Sequence, residues 1–207
     1  MNDAYRVPAA RATATVVEKK SAFIAALSPA GTEAEALAFL DEIRAAHRTA
    51  AHNVYAYALR QNARTRYSDD GEPAKTAGLP VLGVITHAPL VDCIIVVTRY
   101  FGGTLLGTGG LVRAYTAAAA AVVAVTHILT YRACRTLALT LPYPLYEPAR
   151  RLLEAAGARI EEPRFAADVK LNALLPADTA DAVAAQLREL LRGGEGLTVS
   201  DIHFAPY

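Results

Sequence analysis

The densest concentration of chemically useful groups lies at residues 98–115, Thr-Arg-Tyr-Phe-Gly-Gly-Thr-Leu-Leu-Gly-Thr-Gly-Gly-Leu-Val-Arg-Ala-Tyr. An apolar, β-branched run, Val91–Thr98, leads into it, and an alanine-rich helix, Leu111–Val125, leads out. Strand, glycine loop, helix is an arrangement that presents unpaired backbone N–H groups to an anion, with the helix dipole in support. Gly102, Gly103, Gly107, Gly109 and Gly110 would let a phosphate oxygen approach without a Cβ in the way, and Arg99 and Arg113 would bracket it with charge. The named fingerprints fail, however. A P-loop needs Lys after its second glycine, whereas Thr108 follows Gly107, and the dinucleotide pattern needs a glycine where Val112 stands. Two readings stay open: an anion site, or glycines that serve only a tight turn and close helix–sheet packing.

A second group is Ser68-Asp69-Asp70-Gly71-Glu72-Pro73, followed by Lys75 and Thr76. Three carboxylates in four residues invite a divalent cation, but the spacing is not that of an EF-hand. Asp-Gly and Glu-Pro are also ordinary turn chemistry. Turn plus ion pair is the favoured reading, with Arg99 or Arg113 as partners of Asp69 and Asp70, and no metal is expected. His52 could join Ser68 and Asp69 in a nucleophilic set, but no Gly-x-Ser-x-Gly elbow surrounds Ser68. The other histidines lack metal-ligand spacing. Arg60, Arg64 and Arg66, interleaved with Tyr55, Tyr57 and Tyr67, together with Lys75, could grip single-stranded nucleic acid through phosphate contacts and stacking. A solvated polar loop is the plainer alternative.

These groups need positioning elements. Arg11–Lys19 and Ser21–Leu27 read as a hairpin. Thr32 and Glu35 form a capping-box signature that opens a helix to His47. Asn53–Leu59 reads as a strand, 61–78 as an irregular loop, Pro80–Ile85 as a short helix, and Val91–Thr98 as a central strand buried on both faces. Residues 126–134 carry no pattern and mark a boundary. Beyond it come a strand at Thr136–Leu141, a helix at Pro144–Ala156 with Gly157 as its stop, and strands at Arg159–Phe165 and Asp168–Leu174. A helix capped by Asp178 and closed by Gly193-Gly194 follows, then a strand at Leu197–Phe204. The order β-α-β-β-α-β is that of a ferredoxin-like split βαβ unit. The fold class is therefore α+β, with domains at 1–133 and 134–207.

Composition narrows the partners. The chain has 207 residues and a formal net charge of +1, which excludes a uniformly basic coat protein and an acidic disordered tail. The charge is uneven, +3 over residues 1–133 and −2 over 134–207. Two cysteines are too few for a disulfide scaffold or a zinc knuckle, and Cys93 inside an apolar strand reads as a buried free thiol. Residues 1–10 lack the apolar core of a secretion signal, and the apolar run Ala117–Val125 is shorter than a membrane span. A cytoplasmic chain without a membrane partner or cofactor is expected.

Taken together, Ser-Asp-Asp-Gly-Glu-Pro at 68–73 and Thr-Ala-Gly-Leu-Pro at 76–80, with Val-Thr-Arg-Tyr-Phe-Gly-Gly-x-x-x-Gly-x-Gly-Gly-Leu-Val-Arg-Ala-Tyr at 97–115, resemble the IMPACT family and its bacterial YigZ group. Ala-His-Asn at 51–53 fits as well. Val54 stands where the family often has Cys, and Ala74-Lys75 where it often has Ser-Gly. The resemblance implies a first domain like the second domain of small-subunit ribosomal protein five, with a left-handed βαβ crossover, and a second domain like those of elongation factor G. It implies no established catalytic residue. Eukaryotic relatives regulate translation initiation by competing for an activator of an amino-acid-starvation kinase. The expected function is thus non-enzymatic: translation-associated binding of RNA, the ribosome or a translation factor. The alternative is a small phosphate or nucleotide ligand, or an enzyme acting on one, at the glycine run 102–110. No nucleophile with its base supports a peptidase.

Overall fold

A computed structural model describes residues 4–193 and 195–207. It is an α+β chain of two units, residues 5–130 and 131–207.

In the first unit the chain runs β1 (Tyr5–Pro8), β2 (Ala12–Glu18), β3 (Ser21–Pro29), α1 (Glu33–Ala46), β4 (His52–Leu59), β5 (Arg64–Ser68), α2 (Gly78–His87), β6 (Cys93–Tyr100) and α3 (Gly107–Val125). Five strands form a sheet in the order β2-β3-β6-β4-β5, every neighbouring pair antiparallel. β6 lies at the centre and is buried from Cys93 to Arg99, as its continuous apolar run requires. Alternation along the strands sorts side chains to two cores. Phe23, Val54, Ile95 and Val97 pack with Val81, Leu111, Ala118 and Val122 of α2 and α3. Ala26, Tyr57, Ile94 and Val96 pack with Ala36, Phe39 and Leu40 of α1. The sheet is thus sandwiched between α1 and the α2/α3 pair.

The Thr32 hydroxyl accepts from the Glu35 amide while the Glu35 carboxylate accepts from the Thr32 amide, so the capping box forms as expected. Three expectations change. The stretch 61–78 is not structureless: β5 pairs with β4 through five residue pairs. Its side chains are mostly polar because it is the sheet edge, and an edge strand needs no apolar face. α3 begins at Gly107 rather than Leu111, which moves Gly107, Gly109 and Gly110 from the loop into the first helical turn. By length and composition α3 is apolar enough to cross a membrane, yet here it buries Leu111, Ala114, Tyr115, Ala118, Ala119 and Val122 as a core helix.

The second unit comprises β7 (Ile128–Leu141), α4 (Tyr143–Ala155), β8 (Arg159–Ile160), β9 (Arg164–Phe165), β10 (Val169–Pro176), α5 (Ala177–Leu190), β11 (Leu197–Val199) and β12 (His203–Pro206). β7 pairs with β10 on one side and with β11 and β12 on the other, and β10 also pairs with β8 and β9. This is the strand order expected of the split βαβ unit. Leu137, Leu139, Leu153, Leu171, Leu175, Val183 and Leu187 form its core. Residues 128–134 are strand rather than patternless boundary. The expected strands at 159–165 and 197–204 are each broken into two short pieces. Asp178 lies in the first turn of α5 and does not cap it; Pro176 holds the cap position. Gly157 ends α4 in the left-handed conformation at φ 72, whereas α5 first turns left-handed at Arg192, φ 54, with Gly193 following at φ 76. Gly194 and the first three residues lie outside the described part of the chain.

Candidate functional site

The acidic turn follows from how β5 ends. After Ser68 the chain reverses through Asp70 and Gly71 at φ 44 and 89, closed by the Glu72 amide donating to the Asp69 carbonyl at 2.9 Å. The reversal sends the three carboxylates in different directions, so they do not form a metal cage. Asp69 accepts from the backbone amides of Lys75, Ala77 and Gly78 at 2.9, 3.0 and 2.8 Å. It thereby supplies the N-terminal cap that α2 lacks in its own Ala77. Asp70 accepts from the Asn53 amide at 2.7 Å and from Arg44 at 3.2 Å. Thr76 is buried and donates to the Pro73 carbonyl at 2.6 Å. The expected partnering of Asp69 and Asp70 with Arg99 or Arg113 is therefore corrected: Glu72 holds Arg99.

That pair is the centre of the site. Glu72 and Arg99 are 8% and 6% exposed, and Arg99 Nη1 donates to Glu72 Oε1 at 2.6 Å. Tyr115 of α3 donates its hydroxyl to the same oxygen at 2.8 Å. Burial, followed by the adjacent Glu72 charge, pushes the Tyr115 phenol well above its ordinary range, so it stays a donor. The Arg99 guanidinium lies over the Phe23 and Phe101 rings, 5.5 and 5.6 Å from their centroids. Arg99 Nε is buried without an acceptor.

His52, at the start of β4, completes the group. Its Nδ1 lies 2.7 Å from the Asp70 carbonyl oxygen, which can only accept, so Nδ1 carries the proton. Nε2 lies 3.9 Å from Glu72 Oε1. Register explains the meeting of distant motifs, since His52 stands directly opposite Arg99 in the β4–β6 ladder. His52, Glu72, Arg99, Phe101, Leu105, Leu106, Gly107, Thr108 and Leu111 line a cavity of about 560 Å³. A larger groove of about 840 Å³ between α2 and α3 is lined mainly by apolar side chains such as Leu79, Val84, Val112 and Val123, and has no comparable polar centre.

Not every predicted residue reaches this cavity. Gly102 is a packing glycine: a Cβ there would lie 2.1 Å from the Lys20 carbonyl carbon and 2.3 Å from the Ser21 nitrogen. Gly103, at φ 84, has open space around it. Gly107 lines the cavity, whereas Gly109, Gly110 and the exposed Arg113 lie one or more residues further along α3, outside the lining. Arg60 pairs with Asp92 at 2.7 Å, and Arg64 and Arg66 pair with Glu33 at 2.5 and 3.3 Å. Lys75 is exposed, away from the cavity, beside the α2–α3 groove.

Within the 98–115 motif, residue type alone does not mark Tyr115 or Thr108 as site residues. The spacing of Leu111, Tyr115, Ala118 and Val122 already places Tyr115 on the sheet-facing side of a helix. Arg44 carried no comparable signal, because its contact with Asp70 joins α1 to a turn 26 residues away.

The Impact N-terminal domain matches residues 19–123, and a domain of unknown function, DUF1949, matches residues 139–193. The chain is 34% identical to the IMPACT family member YigZ of Escherichia coli, over 92% of this chain and 95% of that one. It is 48% identical to the IMPACT family member YvyE of Bacillus subtilis, over 48% of this chain and 46% of that one. A solved structure described as a hypothetical protein superimposes at a TM-score of 0.61 with 32% identity, covering 98% of both chains. On the strength of the domain match and the near full-length likeness to YigZ, the chain belongs to the IMPACT family.

Proposed function

We propose that this protein is a cytoplasmic, non-enzymatic regulator associated with translation, acting by binding RNA, the ribosome or a translation factor. The resemblance to the IMPACT family, which implies regulation of translation initiation among its eukaryotic relatives, carries this reading. The surface offers a matching grip. Arg64 and Arg66 are two apart on edge strand β5, so they project to the same side, and Arg60 precedes them at the turn. Their side chains are 52%, 54% and 46% exposed. These arginines stay half-exposed beside the less exposed Glu33 and Asp92, which leaves guanidinium surface for a phosphate backbone to meet.

The test is a titration of labelled single-stranded RNA at about 50 and 200 mM salt. Binding should weaken with salt. Replacing Arg60, Arg64 and Arg66 with Gln should reduce the log–log salt slope by about 2, near 0.7 for each lost phosphate contact. Absence of binding at low salt, or affinity indifferent to salt, removes the RNA form of the proposal.

A further inference from the structure

The polar end of the cavity is unexplained by translation-factor or backbone binding at β5. α3 opens without a side-chain cap, and Gly107 and Thr108 line the cavity. The first amides of a helix have no partner within it, and the dipole makes that end attractive to an anion. A second observation points the same way. Arg99 is 94% buried, lines this cavity and leaves Nε without an acceptor. Nε is closed off from solvent, so a ligand in the cavity is met by the outer nitrogen Nη2, which has no hydrogen-bond partner among the described residues. His52 adds a ring nitrogen, Nε2, with its other nitrogen committed to the Asp70 carbonyl. Glu72 is the one carboxylate in the lining, and Arg99 Nη1 and the Tyr115 hydroxyl already bond its Oε1.

We propose that this cavity binds the phosphate monoester of a nucleotide, held by the Gly107 and Thr108 amides, Arg99 and His52 Nε2. Amide and guanidinium donors approach from the helix end and the sheet, and the His52 ring nitrogen from the β4 start, which suits the three free oxygens of a terminal phosphate better than the two of a diester. One proton lies between His52 Nε2 and the phosphate, carried by whichever of the two is protonated. The remaining lining, Pro73, Phe101, Leu105, Leu106 and Leu111, is apolar, and Phe101 is 52% exposed as a platform for a base. The volume falls in the range of small-molecule sites. The same chemistry occurs in a free nucleoside monophosphate and at the 5′-phosphorylated end of an RNA.

The test uses the full chain, calorimetry and four probes: adenosine monophosphate, adenosine, and a short RNA with either a 5′-phosphate or a 5′-hydroxyl. The monophosphate should bind and adenosine should not. Thr108→Asp places a carboxylate among the donors. Because an acid at a helix N-terminus supports the helix, its melting temperature should not fall, while affinity for the monophosphate should drop at least tenfold. A control of equal charge, Thr15→Asp on the α1 side of β2, should bind as the parent does. A 5′-phosphorylated RNA that binds at least tenfold tighter than adenosine monophosphate, with its 5′-hydroxyl form weak, assigns the site to RNA ends. Equal affinities assign it to free nucleotides. Binding of adenosine as tight as that of its monophosphate, no binding of either phosphorylated probe, or an unaltered Thr108→Asp affinity overturns the proposal. The Arg60/Arg64/Arg66 variant should leave monophosphate binding intact, so this site and the β5 surface stand or fall separately.

Discussion

Replacing Glu72 with Ala should be among the most damaging single changes in the first unit, although it removes only four side-chain heavy atoms. The magnitude follows from burial. Glu72 and Arg99 are 8% and 6% exposed, and one carboxylate oxygen takes both Arg99 Nη1 and the Tyr115 hydroxyl. Removing one partner of a buried ion pair strands the other charge and costs about 3–5 kcal/mol. That is a large part of a total stability of about 5–15 kcal/mol. Hydrogen exchange of the peptide covering β6, residues 93–100, reports on this unit specifically. Its slowest amides should exchange faster by about two to nearly four orders of magnitude, at 1.36 kcal/mol per tenfold. The compensated variants discriminate the cause. Glu72→Leu with Arg99→Met removes both charges and should recover most of the loss, leaving the Tyr115 hydroxyl unsatisfied at about 1–3 kcal/mol. Adding Tyr115→Phe should recover that remainder. A loss below about 1 kcal/mol for Glu72→Ala, or a double variant no better than the single, refutes the argument that the desolvated charge dominates.

Acid should expose the role of Glu33. The Tyr57 hydroxyl donates to it and Arg64 and Arg66 flank it, which together hold its carboxyl below the ordinary 4.5. A depressed carboxyl contributes stability that is present above its unfolded value and lost as pH falls through the folded one. The melting-temperature gap between the parent and Glu33→Gln should therefore be constant above about pH 4.5–5 and close below it. Gly102→Ala should destabilise by about 1–3 kcal/mol or more in urea denaturation, because the new methyl would meet the Lys20–Ser21 backbone, which cannot rotate away. Burial pushes the Cys93 thiol up to about 12 and also raises Cys134, so neither should react with Ellman's reagent at pH 8 until the chain is unfolded.

Local signals carried much of the architecture into view. The capping box at Thr32 and Glu35, the doubly buried strand around Cys93–Arg99 and the helix stop at Gly157 depend on residues close together in sequence, and each formed as expected. Their physics is local: one cap, one period of side-chain alternation, one backbone conformation. β5 escaped because an edge strand has no need of an apolar face. The start of α3 escaped because Gly107 and Gly109 read as loop residues, whereas packing of Leu111 and Tyr115 on the sheet repays their poor helix propensity.

By itself the sequence determined that His52, Asp69, Asp70, Glu72, Arg99 and Gly107 belonged to chemically meaningful motifs, and that those motifs belonged to one family. Which residue faces which was decided only in three dimensions. Asp69 went to the amides of α2, Asp70 to Asn53 and Arg44, and Glu72 to Arg99 and Tyr115. Three carboxylates in four residues look alike on a line. They separate because two successive left-handed residues turn the chain, and because the β4–β6 register sets His52 across from Arg99. Residue types fix which interactions are possible; the backbone path through the turn and the ladder selects those that occur.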